Sequence, residues 1–248
     1  MTAIITDLTL PTGVTVSGKA ISGSISFNGS SQYLTVPSST AFKFGTGDFT
    51  VEGWFYFPTV PTNWGLWQLA SSNFPGTAGL HLSYDQYWQV GYGSSSFVNN
   101  IGSASAVTAG SWIHVALVRN SNVLTLYVNG VGYVVAASDT TNYNFTTNLV
   151  IGGYYSTSYL MTGYVSNLRI VNGVAVYTSN FTAPTGPLSI IQSSNQNGSP
   201  SEAINLITST SLMLNTVNNS DYLTDSSSYK NTVTAVSSPT SSQINPFN

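Results

Sequence analysis

Hydrophobic and polar residues alternate along much of this chain in short runs of period two, each bounded by Gly, Asn, Ser, Asp or Pro. Such runs cover 24–27, 49–57, 66–70, 80–84, 88–92, 112–119, 123–128, 133–136, 149–152 and 164–170. Successive side chains of a strand point to opposite faces, so the pattern predicts many short strands at the spacing of a sandwich or barrel. In 112–119 one face would carry Trp112, His114, Ala116 and Val118, and the other Ile113, Val115, Leu117 and Arg119. Both faces are largely apolar, which predicts a central strand covered on both sides. Asn129-Gly130 separates 123–128 from 131–135, and Asn172-Gly173 separates 169–171 from 174–177. Both dipeptides accept the positive φ of a type I′ turn and predict hairpins, and Ser121-Asn122 predicts a third. No window keeps apolar residues at i, i+3, i+4 and i+7 without a β-branched or Gly interruption, so the fold is expected to be all-β.

Domain organisation follows from the same pattern. At 248 residues the chain can bury a full core as one main domain. Residues 1–23 read as an N-terminal arm, 24–190 as the sandwich and 191–209 as a polar linker containing Pro200. Within 210–248, Leu212 and Leu214, then Val233 and Ala235, mark C-terminal strands that complete or extend the sandwich, within the chain or on a neighbouring copy.

Composition narrows the partners. Charged residues make up 5% of the chain and aromatics 12%, and the five Lys and Arg are scattered. That excludes a phosphate-tracking patch, so no nucleic-acid partner is expected. A surface of hydroxyls and amides makes contacts that depend weakly on salt. The start, MTAIITDLTLPTG, has no basic region and is broken by Asp7 and Pro11, so neither a signal peptide nor membrane insertion is expected. Absence of Cys removes disulfides and thiolate metal sites.

Three segments in fixed order, SISFNGSSQYLTVPSSTAFKFGTGDFTVEGWFYF (24–57), WIHVALVRNSNVLTLYVNG (112–130) and MTGYVSNLRIVNGVAVYTSNFTAPTGPL (161–188), resemble the laminin-G-like, concanavalin A-like family. The resemblance implies an antiparallel two-sheet jelly-roll sandwich, a scaffold used mostly for binding and assembly. Domains of this group often open with a Ser-Leu-rich strand, an Asp-Ser-Ser turn and a further strand. Here a similar pattern, 210–236, closes the chain. The resemblance also makes a calcium ion at the rim a possible cofactor, with Asp85 and Asp139 as candidate ligands, although turn capping is the favoured role for both residues. The block VSNLRIVNGVAVYTSNFTAPTGPL, with GTGDFTVEGW upstream and the terminal NPF, is similar to segments in structural proteins of tailed phages.

The glucanase branch of this fold uses a Glu-x-Asp-x-Glu strand, and the nearest match here is Asp48-Phe-Thr-Val-Glu52, which lacks the middle acid. Asp48 and Glu52 would stand about 13 Å apart along a strand, beyond the roughly 5–9.5 Å that glycoside hydrolysis uses. Asp48 is expected to cap a turn, and Glu52 to sit near the rim with Arg119, Lys43 or His114. His81 and His114 lie on separate predicted strands with no adjacent acid or nucleophile, so no enzyme is expected. Aromatic residues remain. Trp64, Tyr87, Trp88, Tyr154 and Tyr155 are the candidate glycan-binding residues, since rings with polar edges stack on sugars, form subunit interfaces or fill a core. Two functions are left open. One is a non-enzymatic virion structural protein at the virion surface, a capsid decoration or tail-associated sandwich whose partners are other virion proteins or copies of itself. The alternative is an adhesin module that binds a host surface glycan.

Overall fold

The computed structural model describes residues 23–69, 79–93, 96–102, 107–154, 159–192, 207–216 and 221–247, the side chains of 99, 100 and 154 apart. The strands are β1 (Ser24–Asn28), β2 (Tyr33–Val36), β3 (Lys43–Gly45), β4 (Phe49–Tyr56), β5 (Trp64–Leu69), β6 (Gly79–Asp85), β7 (Tyr87–Gly93), β8 (Ser96–Ile101), β9 (Trp112–Asn120) and β10 (Val123–Val128). They continue with β11 (Val131–Ala136), β12 (Tyr143–Asn144), β13 (Leu149–Ile151), β14 (Gly153–Tyr154), β15 (Tyr159–Leu160), β16 (Thr162–Asn172), β17 (Leu212–Leu214), β18 (Thr234–Val236) and β19 (Thr240–Ser242). Two antiparallel sheets carry the fold. The first runs β11-β10-β9-β4-β16-β1-β19, with β17 also on β16, and the second runs β18-β2-β13-β5-β6-β7-β8. The architecture is an all-β jelly-roll sandwich.

Alternation along the strands decides the core. Phe49, Val51 and Phe55 of β4, Leu117 of β9 and Leu126 of β10 meet Trp67 of β5, Leu82 of β6, and Trp88 and Val90 of β7 between the sheets. Every one of these side chains is removed from water, which supplies the main driving force for the fold. β9 is buried along nearly all of its length, as a strand apolar on both faces requires.

Two of the three expected hairpins form. Asn129 and Gly130 have φ +47° and +83°, and Ser121 and Asn122 have +48° and +69°, so β9, β10 and β11 are joined by two-residue turns of positive φ. The Asn172-Gly173 hairpin does not form. Asn172 instead donates its side-chain NH2 to the carbonyls of Ala41 and Lys43, and the chain beyond Gly173 folds back over the outer face of the first sheet. The Thr50 hydroxyl fastens that segment, donating to the Val174 carbonyl at 3.0 Å and accepting from the Val176 N–H at 2.9 Å.

The C-terminal residues enter both sheets of their own chain. β17 pairs with Leu168–Ile170 of β16, on the edge that β1 occupies at 162–165, so β17 and β1 lie end to end along one strand. At the junction the Gly23 N–H donates to the Thr216 carbonyl, and a Cβ at Gly23 would stand 2.7 Å from the Ser242 carbonyl oxygen. β18 forms one edge of the second sheet on β2, and β19 one edge of the first on β1. Between β17 and β18 the buried Asp225 carboxylate accepts from the backbone N–H groups of Met213, Ser227 and Asn231, which shapes the turn.

Removing 190–248 would strip β17, β18 and β19 and expose Leu168 and Ile170. A chain ending at Ser189 should therefore lose its cooperative thermal transition and aggregate on size-exclusion chromatography. A monodisperse product with an unchanged melting temperature would contradict the assignment of these strands to the fold.

Candidate functional site

Outward-facing residues of β4 are Thr50, Glu52, Trp54 and Tyr56, because Phe49, Val51 and Phe55 face the core. The returning segment covers the first of these positions and forms a second apolar cluster with Ala116, Val118, Tyr127, Val171, Val176, Tyr177 and Phe181. Glu52 lies buried beneath it. Its carboxylate accepts from Arg169 Nη2 at 2.6 Å and Nε at 2.8 Å, and from the Tyr177 hydroxyl at 2.7 Å, with His114 Nε2 at 3.1 Å. Burial alone would raise the Glu52 pKa, but the Arg169 charge, then His114 and Tyr177, hold it down at about 2. The Tyr177 hydroxyl is pushed up by burial and then by the Glu52 charge.

This placement corrects the expectation of a rim carboxylate. Of the three expected partners only His114 contacts Glu52, and the principal cation is Arg169. Arg169 reaches it through a β-bulge. β16 spends two residues, Asn167 and Leu168, where β4 spends Gly53, so Ser166 and Arg169 face the same side although three positions apart. Asn167 takes φ +52° there, and its side-chain oxygen accepts from the Leu188 N–H. Asp48 accepts from the Ser121 N–H at 2.8 Å, so both acids of the 48–52 segment are engaged in structural bonds.

Further along the same face the cover ends. Trp54 is capped by His114 and Phe247, with ring centroids 5.2 and 5.8 Å away. Tyr56 is only half-buried, and the register sets Tyr164 of β16 and Trp112 of β9 directly beside it. The Tyr56 ring lies 5.6 Å from Tyr164 and 5.5 Å from Trp112. Both neighbours are also half-buried, and the row continues across Ser26 of β1 to Thr240 of β19. Three rings, inclined to their neighbours by 57° and 73°, followed by two hydroxyls and with no charged side chain in the row, make an uncharged aromatic strip suited to a neutral polar ligand with an apolar side. Sequence reasoning passed over these three residues. They lie in separate strands, and the signal that could have found them was their shared parity with the outward positions of each strand.

Of the five expected glycan-binding residues, the three whose side chains are described, Trp64, Tyr87 and Trp88, do not share a surface. Trp88 points into the core, wholly buried and edge-on to Tyr84 at 5.1 Å, so it offers no ring face to a ligand. The alternation of β7 sends Trp88 inward and Tyr87 outward, and Tyr87 is 39% exposed. Trp64 is half-buried with its ring 6.1 Å from that of Phe57. Tyr154 lies in β14, its side chain outside the description, and Tyr155 lies outside the described residues. Asp139 does not fit a calcium ligand. It is buried, ion-paired with Arg119 at 3.5 Å, and accepts from the Tyr143 hydroxyl and the Thr141 N–H. Asp85 ends β6 in register with Tyr87 of β7. Among the described residues no group of three or more His, Asp or Glu is placed to hold a metal ion.

A family model of the concanavalin A-like lectin/glucanases superfamily matches residues 28–178. The chain belongs to that superfamily. Among solved structures, it is similar to a Bacteroides ovatus protein provisionally described as carbohydrate binding, with 14% identity and a TM-score of 0.54 over 90% of this chain. The matched part spans 60% of the length of that protein. It is also similar to domain 4 of AbnA, a GH43 extracellular arabinanase from Geobacillus stearothermophilus solved with arabinotriose, at 18% identity and a TM-score of 0.47, covering 60% of this chain and 70% of that one. For domains LG4-5 of the mouse laminin α1 chain the values are 19% and 0.44, covering 60% and 40%. No curated protein sequence matches the chain.

Acid should probe the buried groups in two windows. His81 is buried and neutral, its pKa lowered by burial from 6.5 to about 4, so the unfolded chain binds the proton more readily and stability falls as pH drops from 6.5 through 4. The Glu52 pKa is likewise depressed in the fold, so its contribution is present above 4.5 and lost as pH falls towards 2. Glu52→Gln should cost about 3–5 kcal/mol, because it leaves Arg169 buried without a counter-charge, and should flatten the lower window. Circular-dichroism melts from pH 7 to 2 measure both effects; equal melting curves for variant and wild type would contradict the role given to the pair.

Proposed function

We propose that this chain is a non-catalytic binding module for a neutral glycan, which lies along the row Trp112, Tyr56 and Tyr164 and extends towards Ser26 and Thr240. The observation that carries the reading is that register: three half-buried rings brought side by side from three adjacent strands. A sugar ring has an apolar C–H face that packs on aromatic rings and an equatorial belt of hydroxyls. Tyr56, Tyr164, Ser26 and Thr240 carry hydroxyls that both donate and accept, which matches that belt. A row without charge gives little attraction to uronate or sialate groups, and binding should depend weakly on salt. Superfamily membership supports this reading, and so does the likeness in fold to a protein described as carbohydrate binding.

The non-catalytic part rests on the acids. Glu52 is sealed under Tyr177 and committed to Arg169, and Asp48 is bonded to a turn. Neither is free to move a proton at a glycosidic bond. The similarity of 165–188 to segments of tailed-phage structural proteins supports a location on a virion surface, as a capsid decoration or tail-associated module contacting other virion proteins or its own copies. There the glycan would be a host surface sugar.

Trp112→Ala and Tyr164→Ala should each weaken binding of a neutral oligosaccharide at least tenfold in calorimetric titrations, with the fold unchanged by circular dichroism. Trp64→Ala should cost stability and leave affinity as it is. Affinity unchanged in both row variants, or a preference for sialylated over neutral sugars, would sink the proposal. Incubating labelled protein with purified capsids and with host envelopes separates the two settings: uptake by capsids alone, without sugar competition, would favour decoration over adhesion.

A further inference from the structure

A second opening lies on the same outer face, at its other end. Trp112 and Val118 both point outward from β9, six positions apart, which is about 20 Å along a strand. Between them Ala116 and His114 are sealed by the returning segment, through Tyr177 and Phe181. Beyond that seal a groove of about 440 Å³ opens over β9, β10 and β11. Its floor is another cross-strand row, Val118, Thr125 and Val134, in direct register. Val134 is 63% exposed, so the floor runs out to solvent at the β11 edge.

The lining has a definite chemistry. None of its eleven residues is charged. Asn180 uses its side-chain oxygen to accept from the Gly132 N–H at 2.9 Å, which leaves the NH2 as a fixed donor on the wall. The Thr125 hydroxyl stands in the floor and Tyr127 lies beside it. Gly132 lets the Tyr127 ring and the Asn180 side chain pack directly on its backbone, since a Cβ there would lie 2.8 Å from the ring and 3.3 Å from the Asn180 oxygen. Val134, exposed on the strand surface, with the Thr125 hydroxyl and the Asn180 amide beside it, offers a small apolar patch and neutral hydrogen-bonding groups above Val118 and Tyr127, which are 1% and 5% exposed. The volume falls within the ordinary range of small-molecule sites, about 300–1,000 Å³.

We infer that this groove is a second carbohydrate site, one that takes one or two uncharged sugar units at the β11 edge, separated from the aromatic row by the Tyr177–Phe181 seal. The class of ligand rests on the glycan reading above, and the location rests on the groove alone. Two sites on one outer face would let a module of weak individual affinities hold a branched or repeating glycan with gain from avidity.

The test is a titration of the ¹⁵N-labelled full chain with maltose, cellobiose, lactose and sialyllactose, followed at the backbone amides. Saturable shifts at Thr125, Val134 and Asn180 with at least one neutral disaccharide are expected. They should weaken at least fivefold in Thr125→Val, which keeps the side-chain shape, and in Val134→Trp, placed at an exposed position to fill the groove. Shifts at Tyr56, Trp112 and Tyr164 report the other site in the same spectra. Silence at the groove amides while the row responds overturns this inference and leaves the proposed function standing. Response at the groove with a silent row supports the groove and overturns the row. Silence at both, equal shifts in both variants, or a response to sialyllactose alone overturns the second site.

Discussion

The Glu52–Arg169 ion pair, buried on the outer face of the first sheet, is the constraint around which the rest of this molecule is arranged. A carboxylate and a guanidinium out of water are tolerable only when paired and hydrogen-bonded. Here Tyr177, His114, Ser189 and Gln192 supply the remaining bonds. Three of those partners, Tyr177, Ser189 and Gln192, come from the segment after Gly173, so satisfying the pair requires the chain to turn back over the sheet instead of forming another hairpin. The bulge at Asn167 is the other half of the same arrangement, because without it Arg169 would face the core. The pair thus divides the outer face into a sealed centre and two open ends, the aromatic row and the groove.

The second constraint is closure of the sheet edges. β17 and β1 meet end to end on β16 at Gly23 and Thr216, so one edge of that strand is covered by two pieces of chain almost two hundred residues apart. β17 and β1 run in the same direction along β16, so the two pieces of chain together occupy one strand position. Unpaired strand edges invite pairing with other chains, and β18 and β19 move the edges of both sheets outward onto short strands.

Much of this was legible in the sequence because strand formation is a local property. Period-two runs marked nearly all of the long strands, and Asn129-Gly130 and Ser121-Asn122 marked their turns through the positive φ those residues accept. Asn172-Gly173 has the same local chemistry, and there a tertiary bond from Asn172 to the 41–43 segment prevailed over the hairpin. The candidate site was far less legible. Proximity along the chain grouped Trp64, Tyr87 and Trp88, whereas alternation sends Tyr87 and Trp88 to opposite faces and buries Trp88.

What the sequence determined by itself is the class: an all-β sandwich of low charge, rich in hydroxyls, amides and rings, because alternation, turn residues and composition act within a few positions of one another. Which rings share a surface was decided only by the tertiary structure. Tyr56, Trp112 and Tyr164 are neighbours through strand register alone, and register depends on a bulge, on the edge strands and on a buried ion pair, each joining residues distant in the chain.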